Sequence, residues 1–281
     1  MKPGIVPLIG PATPPGPGFG DTQYNEFQRK IETKTGIRLA DYKPDQMRRR
    51  VSMMAIRAGY ESYTEYYTAM DRDGALLATF LDKMTINVSE LLRNPPRFDD
   101  LTRAILPKIL GEKRNSCLNI WSAGCSYGAE AYTVAMLMHE RDSHSGDKIL
   151  GTDIDVEILK RARDPRFTAA DMTNISTERR NSHFKPDGDK WTVQPHLRSR
   201  VSFARHDLLA DPYPRAEYDL ILCRNVVIYF TDAAKERIYR GFYEALAPGG
   251  VLFVGGTERL ADHRAIGFDL VMPFFYRKPV R

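Results

Sequence analysis

Apolar and polar positions change rhythm along this chain. From residue 21 to about 90 the spacing is helical. Tyr24, Phe27, Ile31 and Ile37 form one partial stripe, and Met47, Val51, Met54 and Ile56 a second, in a helix that Pro44 and Asp45 can start. Tyr63, Tyr66, Tyr67 and Met70 follow, then Leu76, Leu77, Phe80, Leu81 and Met84. No strand-like alternation interrupts them, so the pattern predicts a small all-α domain over 21–84. Residues 85–100 read as a linker, and Pro95 or Pro96 is expected to start a helix around Phe98 to Leu110. In the remainder, 101–281, strand-like runs at 118–123, 148–153, 200–204, 218–223, 249–255 and 268–277 alternate with helical runs near 128–140, 155–163, 231–246 and 257–262. That alternation predicts an α/β domain with a mostly parallel sheet covered on both faces. Residues 165–200 break the rhythm. They are polar, with Phe184, Trp191 and Val193 scattered among turn residues, and too long for a plain loop. They are expected to form an inserted subdomain, a short hairpin or sheet.

The segment richest in chemistry is Leu118 to Ala131, LNIWSAGCSYGAEA, taken with ILGTDID from Ile149 to Asp155. An apolar run ends in Gly124, a small polar turn follows, Gly128 opens a helix, and a second apolar run ends in Asp153. Strand, glycine turn, helix, strand, acid is the opening of a nucleotide-binding α/β unit. The glycines let the backbone approach a ligand, and a carboxylate at a strand tip can accept two hydrogen bonds from a ribose diol. GxGxxG is absent, as is the Lys-Ser/Thr pair of a phosphate loop. The remaining reading is an adenosine cofactor without a pyrophosphate, which S-adenosylmethionine fits; a turn in a generic α/β domain is the alternative. Leu220 to Phe230, LILCRNVVIYF, runs off the fourth strand where ligands bind in open sheets. Arg224, Asn225 and Tyr229 are its polar residues, and a bare Arg-Asn pair after a buried strand needs a partner.

Length and charge refine this picture. The 281 residues suffice for one large α/β domain and a smaller one. The net charge is +5, and nine of the 41 Lys/Arg but only three of the 36 Asp/Glu fall within 29–57. The basic character therefore belongs to one short segment, which suggests an anionic partner for it. Arg48, Arg49 and Arg50 are its centre, with a solvated helix face as the alternative. Residues 1–20 hold six Pro and five Gly and read as a disordered tail, not a signal peptide. No run of 18 apolar residues predicts a membrane span. Cys117, Cys125 and Cys223 lack metal-ligand spacing and are expected to be reduced thiols in a cytoplasmic protein, and no metal is expected.

Taken together, these pieces resemble the CheR-type chemotaxis receptor glutamate O-methyltransferases. The Met47–Arg50 helix, TINVSELLRNP from Thr85, WSAGCSYGAEAYT from Trp121, GTDID from Gly151, FARHDLL from Phe203, LCRNVVIYF from Leu222 and PGGVLFVGGTERL from Pro248 stand in the family's order and span about residues 24 to 279. The resemblance implies a helical domain, a linker, and a Rossmann-like S-adenosylmethionine-dependent methyltransferase domain with a small β-subdomain insert. It implies that bacterial chemotaxis receptors are methylated on glutamate side chains in sensory adaptation, with S-adenosylhomocysteine as the second product. By the same resemblance, Thr85, Asn87 and Ser89 face the cofactor from the linker, and Arg93 engages the cofactor near its methionine carboxylate. Gly124 belongs to the turn, Glu130 contacts the methionine amino end, Asp153 binds ribose, and Asp207 and Leu208 lie beside adenine. Arg224, Asn225 and Tyr229 line the methyl-transfer site: Arg224 and Asn225 are expected to bind the cofactor, and Arg224 and Tyr229 are candidates for placing the incoming carboxylate, with holding the cofactor alone as the alternative. Arg48, Arg49 and Arg50 are expected to dock on the acidic helical methylation region of the receptor. A receptor C-terminal peptide tether is a further implied partner, with Asn174, Arg179, Arg180 and Arg198 as candidate contacts.

The chain departs from the family pattern at particular positions. The usual turn is G-C-S-T-G-E-E-P-Y-S, and Tyr127, Ala129, Ala131 and Thr133 stand where Thr, Glu, Pro and Ser are usual. Asp207 replaces an Asn, and GGTERL replaces GHSES. These departures keep a second reading in view, a non-catalytic S-adenosylmethionine-binding signalling module. A nucleic-acid methyltransferase is the third. The tetrapeptide NPPR at Asn94 resembles a [DN]PP[YF] signature, but it precedes the first strand when it belongs at the fourth, and no nucleic-acid partner is expected.

Overall fold

The computed structural model describes residues 17–84, 87–113, 117–141 and 146–280. Contacts divide the chain into two compact units, Met1–Met84 and Thr85–Arg281.

The first unit is helical, with α1 at Asp21–Thr35, α2 at Pro44–Arg57, α3 at Tyr63–Arg72 and α4 at Gly74–Met84. Gly36 ends α1 in the left-handed region at φ 77°, its N–H on the Glu32 carbonyl, and Ser62 caps α3 through the Glu65 N–H. The stripe residues build the core: the Phe27 ring meets Tyr63, Tyr66 and Phe80 at centroid distances of 5.6, 6.4 and 5.8 Å. Two positions depart from the pattern. Ile56 is 54 % exposed and Ala55 is buried in its place, because two helical steps past Met54 turn a side chain about 200° away from the core face. Residues 1–16 of the expected disordered tail lie outside the described residues. From Pro17 the chain is structured, because Phe19 packs edge-on against Tyr63 at 4.9 Å.

The second unit carries α5 at Pro95–Asp100, α6 at Leu106–Glu112, β1 at Asn119–Ala123, α7 at Ala129–Glu140, β2 at Lys148–Asp153 and α8 at Val156–Arg163. The insert follows with β3 at Arg166–Phe167, α9 at Thr177–His183, β4 at Phe184–Asp187, β5 at Lys190–Val193 and α10 at Pro195–Arg198. The chain then returns to the main sheet with β6 at Val201–Arg205, β7 at Tyr218–Cys223, α11 at Asp232–Ala245, β8 at Leu246–Val254, α12 at His263–Ile266, β9 at Asp269–Met272 and β10 at Phe275–Arg277. The seven-stranded sheet runs β6-β2-β1-β7-β8-β10-β9, parallel from β6 to β8, and the insert is a separate antiparallel sheet ordered β3-β5-β4. Strand order reverses between β1 and β7, the crevice where open α/β sheets bind ligands.

Three predicted elements differ. The helix expected around Phe98–Leu110 spans Pro95–Glu112 with a π turn at Leu101–Ile105. That widened turn stands before Pro107, which has no N–H to continue a regular ladder. The expected strand 268–277 is the antiparallel pair β9/β10, folded back at Pro273 and Phe274, where Phe274 has φ 75°. The expected helix at 257–262 is a loop, because the Glu258 carboxylate binds backbone N–H groups around it.

Candidate active site

The glycine turn after β1 is fixed by the neighbouring strand. The N–H groups of Gly124 and Cys125 both donate to the Thr152 carbonyl at 2.8 Å. Gly124 (φ 73°) and Gly128 (φ 86°) are left-handed, and a Cβ at Gly124 would stand 2.5 Å from a Val226 methyl. Gly124 is thus required by the chain's own packing as well as by any approach to a ligand.

Asp153 closes the tip of β2. Its carboxylate accepts from the Ser126 N–H at 2.8 Å and the Asp155 N–H at 3.1 Å, so the turn and the strand tip are one unit. A carboxylate has about four acceptor sites, so capacity remains for a diol. Burial pushes the Asp153 carboxyl up from its ordinary range, opposed by the backbone N–H groups of Asp155, Ser126 and Ile154.

Glu130, in the first turn of α7, lies deeper. Ser122 Oγ donates to Glu130 Oε1 at 2.8 Å and Arg224 Nη1 reaches Oε2 at 3.4 Å. Burial raises the Glu130 carboxyl, with the Arg224 charge opposing the rise; burial also lowers Arg224, with Glu130 opposing the fall. The Arg224 guanidinium lies 4.6 Å from the Phe98 ring centre and 4.7 Å from that of Phe253, and Nη2 donates to the Arg93 carbonyl at 2.7 Å. Its side chain is 3 % exposed, and Nε is buried without a hydrogen-bond partner. Arg224 is enclosed by Phe98 and Phe253, where its guanidinium fixes Glu130 and the linker.

The linker residues are bound one after another. Asn87 Nδ2 donates to Asp155 Oδ2 at 3.0 Å, and Ser126 Oγ donates to Asn87 Oδ1 at 3.2 Å. Ser89 gives its carbonyl to the Tyr127 hydroxyl. The Leu92 N–H donates to Thr133 Oγ1 at 2.9 Å, and Arg93 Nη1 donates to the Val88 carbonyl at 3.1 Å. Thr85 lies outside the described residues.

On the far side of Asp153, Asp207 is buried, and its Oδ1 accepts from the Leu209 N–H at 2.8 Å. Leu208, also buried, gives its carbonyl to the Tyr213 hydroxyl at 2.7 Å. His206 stands edge-on to Trp121 at 5.1 Å, and burial lowers its pKa, with Asp211 and Asp207 opposing the fall. Asn225 takes the left-handed conformation at φ 61°, and Tyr229 is half-buried in a 3-10 turn at Val227–Tyr229.

These residues fit S-adenosylmethionine. Asp153 offers acceptors at the strand tip, Glu130 an acid for an ammonium group, Arg93 a cation for a carboxylate, and Arg224 Nε an unpaired buried donor. Among the described residues, no group of three or more His, Cys, Asp or Glu side chains is arranged to hold a metal ion.

Similarity to known proteins agrees with this geometry. Residues 22–85 match the all-alpha domain of the CheR methyltransferases, and residues 87–271 match their SAM-binding domain. The chain belongs to the CheR methyltransferase family. A chemotaxis protein methyltransferase of Listeria monocytogenes serovar 1/2a is 38 % identical over 92 % of this chain and 98 % of its own length. That of Listeria innocua serovar 6a is 36 % identical over the same shares. One from Borreliella burgdorferi is 30 % identical over 91 % of this chain and 90 % of that one. The chain is thus an S-adenosylmethionine-dependent methyltransferase of the CheR type.

Within this CheR domain the structure adds a residue the pattern did not single out. Glu258 is a buried carboxylate in the loop after β8. Oε2 accepts from the N–H groups of Asn225 (2.6 Å) and Gly255 (2.7 Å), and Oε1 from Val226 (2.9 Å) and Val227 (3.0 Å). It binds the loop Arg224–Val227 to the end of β8 and holds Asn225 in its left-handed turn. Its signal in the sequence is a single acid between the apolar run VLFVGG and Leu260, where a buried charge must have partners.

Proposed function

We propose that this CheR family member transfers the methyl group of S-adenosylmethionine to glutamate side chains of chemotaxis receptors, forming methyl esters in the cytoplasm. One observation carries this reading: a chemotaxis protein methyltransferase matches 92 % of the chain across 98 % of its own length, so helical unit, linker, cofactor domain and insert all have counterparts. No described helix is long and apolar enough to cross a membrane.

When bound, S-adenosylmethionine supplies an electrophilic methyl on a sulfonium centre and leaves as S-adenosylhomocysteine. In this reading Asp153 holds the ribose, and Asp207 and Leu208 line the adenine. Glu130 takes the methionine amino group, and Arg93 with Asn87 and Ser89 encloses that end from the linker. Gly124 gives the turn its shape. Asn225 and Tyr229 border the position of the acceptor, and Arg224 acts as a positioning residue beneath them. A glutamate side chain is ionised at neutral pH and needs no general base. The protein's tasks are alignment of the carboxylate with the methyl and exclusion of water from the meeting of opposite charges.

Receptor docking falls to α2. Arg48 pairs with Asp21 and donates to the Phe19 carbonyl at 2.9 Å, so part of its charge is committed within its own unit. Arg48, Arg49 and Arg50 together are the candidates for the acidic receptor helix. For a receptor peptide tether on the insert, Asn174 and Arg179 are engaged internally, with the Leu92 carbonyl and Glu140 respectively. Arg180 and Arg198 remain the candidate contacts.

The test is transfer of labelled methyl groups to a purified receptor cytoplasmic fragment. Label that is released as methanol by mild base, and lost when the receptor's glutamates are changed to glutamine, supports the proposal. Cofactor binding without any transfer indicates the non-catalytic signalling module.

A further inference from the structure

Tyr127 stands where this family's turn usually has Thr, and its hydroxyl joins three parts of the cofactor domain. Its hydroxyl oxygen lies within hydrogen-bond reach of the Ser89 carbonyl in the linker and of Asp171 Oδ1 in the insert, the latter at 2.8 Å, and its single proton is shared between these two acceptors. The ring packs on Phe167 of β3 at 6.1 Å, and the Arg161 guanidinium lies 5.2 Å from its centre. Asp171 is held in turn by the Thr168 N–H and hydroxyl, both at 2.8 Å. The Asp171 carbonyl accepts the Leu91 N–H at 3.1 Å, and Asn174 Nδ2 donates to the Leu92 carbonyl at 3.4 Å. The insert therefore grips the linker at Leu91 and Leu92 directly, and at Ser89 through Tyr127. The same linker supplies Asn87 to the Asp153 turn and the Arg93 carbonyl to Arg224. Threonine, shorter by the whole ring, cannot span from the turn to both acceptors.

We infer that Tyr127 is a positioning residue that, with Asp171, fastens the linker over the cofactor site and makes the inserted sheet part of cofactor binding. The inference rests on the proposed cofactor role of Asn87, Ser89 and Arg93. Tyr127 contacts the linker and not the reacting atoms, so its loss acts on affinity and not on the transfer step. Burial and the neighbouring Asp171 charge raise the phenol's pKa, so it remains a donor throughout the working pH range.

The experiment is calorimetric titration of the full-length chain with S-adenosylhomocysteine, comparing wild type, Tyr127→Phe and Tyr132→Phe. Methyl-transfer kinetics and amide hydrogen exchange are measured on each. Tyr132 is the control: its hydroxyl also makes a buried hydrogen bond on α7, to the Ala162 carbonyl at 3.1 Å, but it does not touch the linker. Tyr127→Phe should weaken binding about tenfold and raise KM for S-adenosylmethionine by a similar factor, with kcat within twofold of wild type. Exchange should quicken at the Leu91 and Leu92 amides. Tyr132→Phe should leave affinity within twofold. Unchanged affinity in Tyr127→Phe, an equal loss in Tyr132→Phe, or a fall in kcat alone would overturn the inference. If Tyr127→Phe does not fold, Asp171→Ala takes its place with the same expectations. Absence of binding by wild type would instead remove the cofactor reading on which the inference depends.

Discussion

Asp153, Glu130 and Glu258 are three buried carboxylates, and their surroundings give them different work. Asp153 has backbone N–H partners and spare acceptor capacity at a strand tip; Glu130 has a hydroxyl and a guanidinium; Glu258 has four backbone N–H groups. Burial raises the pKa of all three. Protonation of Asp153 would replace an acceptor by a donor facing the diol, so cofactor affinity should be full above its raised pKa and fall as pH drops through it. The fall should begin at higher pH than the ordinary carboxylate range. The same carboxyl binds protons more tightly folded than unfolded, so its contribution to folding stability runs the other way and declines as pH rises through that window. S-adenosylhomocysteine affinity measured from neutral pH down into the ordinary carboxylate range checks the first statement, and a profile that stays flat until that range is reached contradicts it. At Tyr229, removal of the hydroxyl by Tyr229→Phe should lower kcat about tenfold while the Kd for S-adenosylhomocysteine stays within twofold. Equal loss of both would assign Tyr229 to cofactor binding.

At the scale of elements, the strand tips of β1 and β2 were legible because Gly124 and Asp153 sit at the ends of apolar runs, where periodicity and chemistry coincide. The insert was legible as a break in rhythm with turn residues inside it, enough to expect a hairpin or small sheet. Its hairpin β4/β5 closes on the Gly188-Asp189 turn, whereas β3 joins through the distant pairing of Arg166 with Thr192, which no local pattern encodes. The segment 257–262 misled for a related reason. Its spacing is helical, but Glu258 binds backbone groups more than thirty residues away in the chain, and tertiary hydrogen bonds override propensity. The burial of Arg224 was not legible, since Phe98 and Phe253 come from distant elements. Glu258→Gln tests the loop after β7. An amide places an N–H₂ where one oxygen accepted two N–H groups, and each unmatched buried donor costs about 1–3 kcal/mol. The variant should lose roughly 2–4 kcal/mol in urea unfolding of the cofactor unit and most of its turnover. Wild-type stability would show that the loop holds itself.

At the scale of the whole molecule, basic charge is concentrated in residues 29–57 while the rest of the chain is nearly balanced. That asymmetry suits a division of labour in which the helical unit selects an acidic partner and the α/β unit holds the cofactor. Reversal of charge by the double substitution Arg49→Glu and Arg50→Glu should raise KM for a receptor fragment about tenfold, more at low salt than at high salt. It should leave S-adenosylhomocysteine affinity unchanged. An unchanged receptor KM would make these arginines a solvated helix face.

The central claim is that the tip of β2, the glycine turn and the linker form one cofactor site. Its most direct test is calorimetric titration with S-adenosylhomocysteine at neutral pH, wild type beside Asp153→Ala. Two hydrogen bonds to a charged acceptor contribute about 1.5–3 kcal/mol each. Micromolar binding by wild type, weakened a hundredfold or more by Asp153→Ala, is the expected result. Equal binding by the two proteins, or none by wild type, would contradict the account.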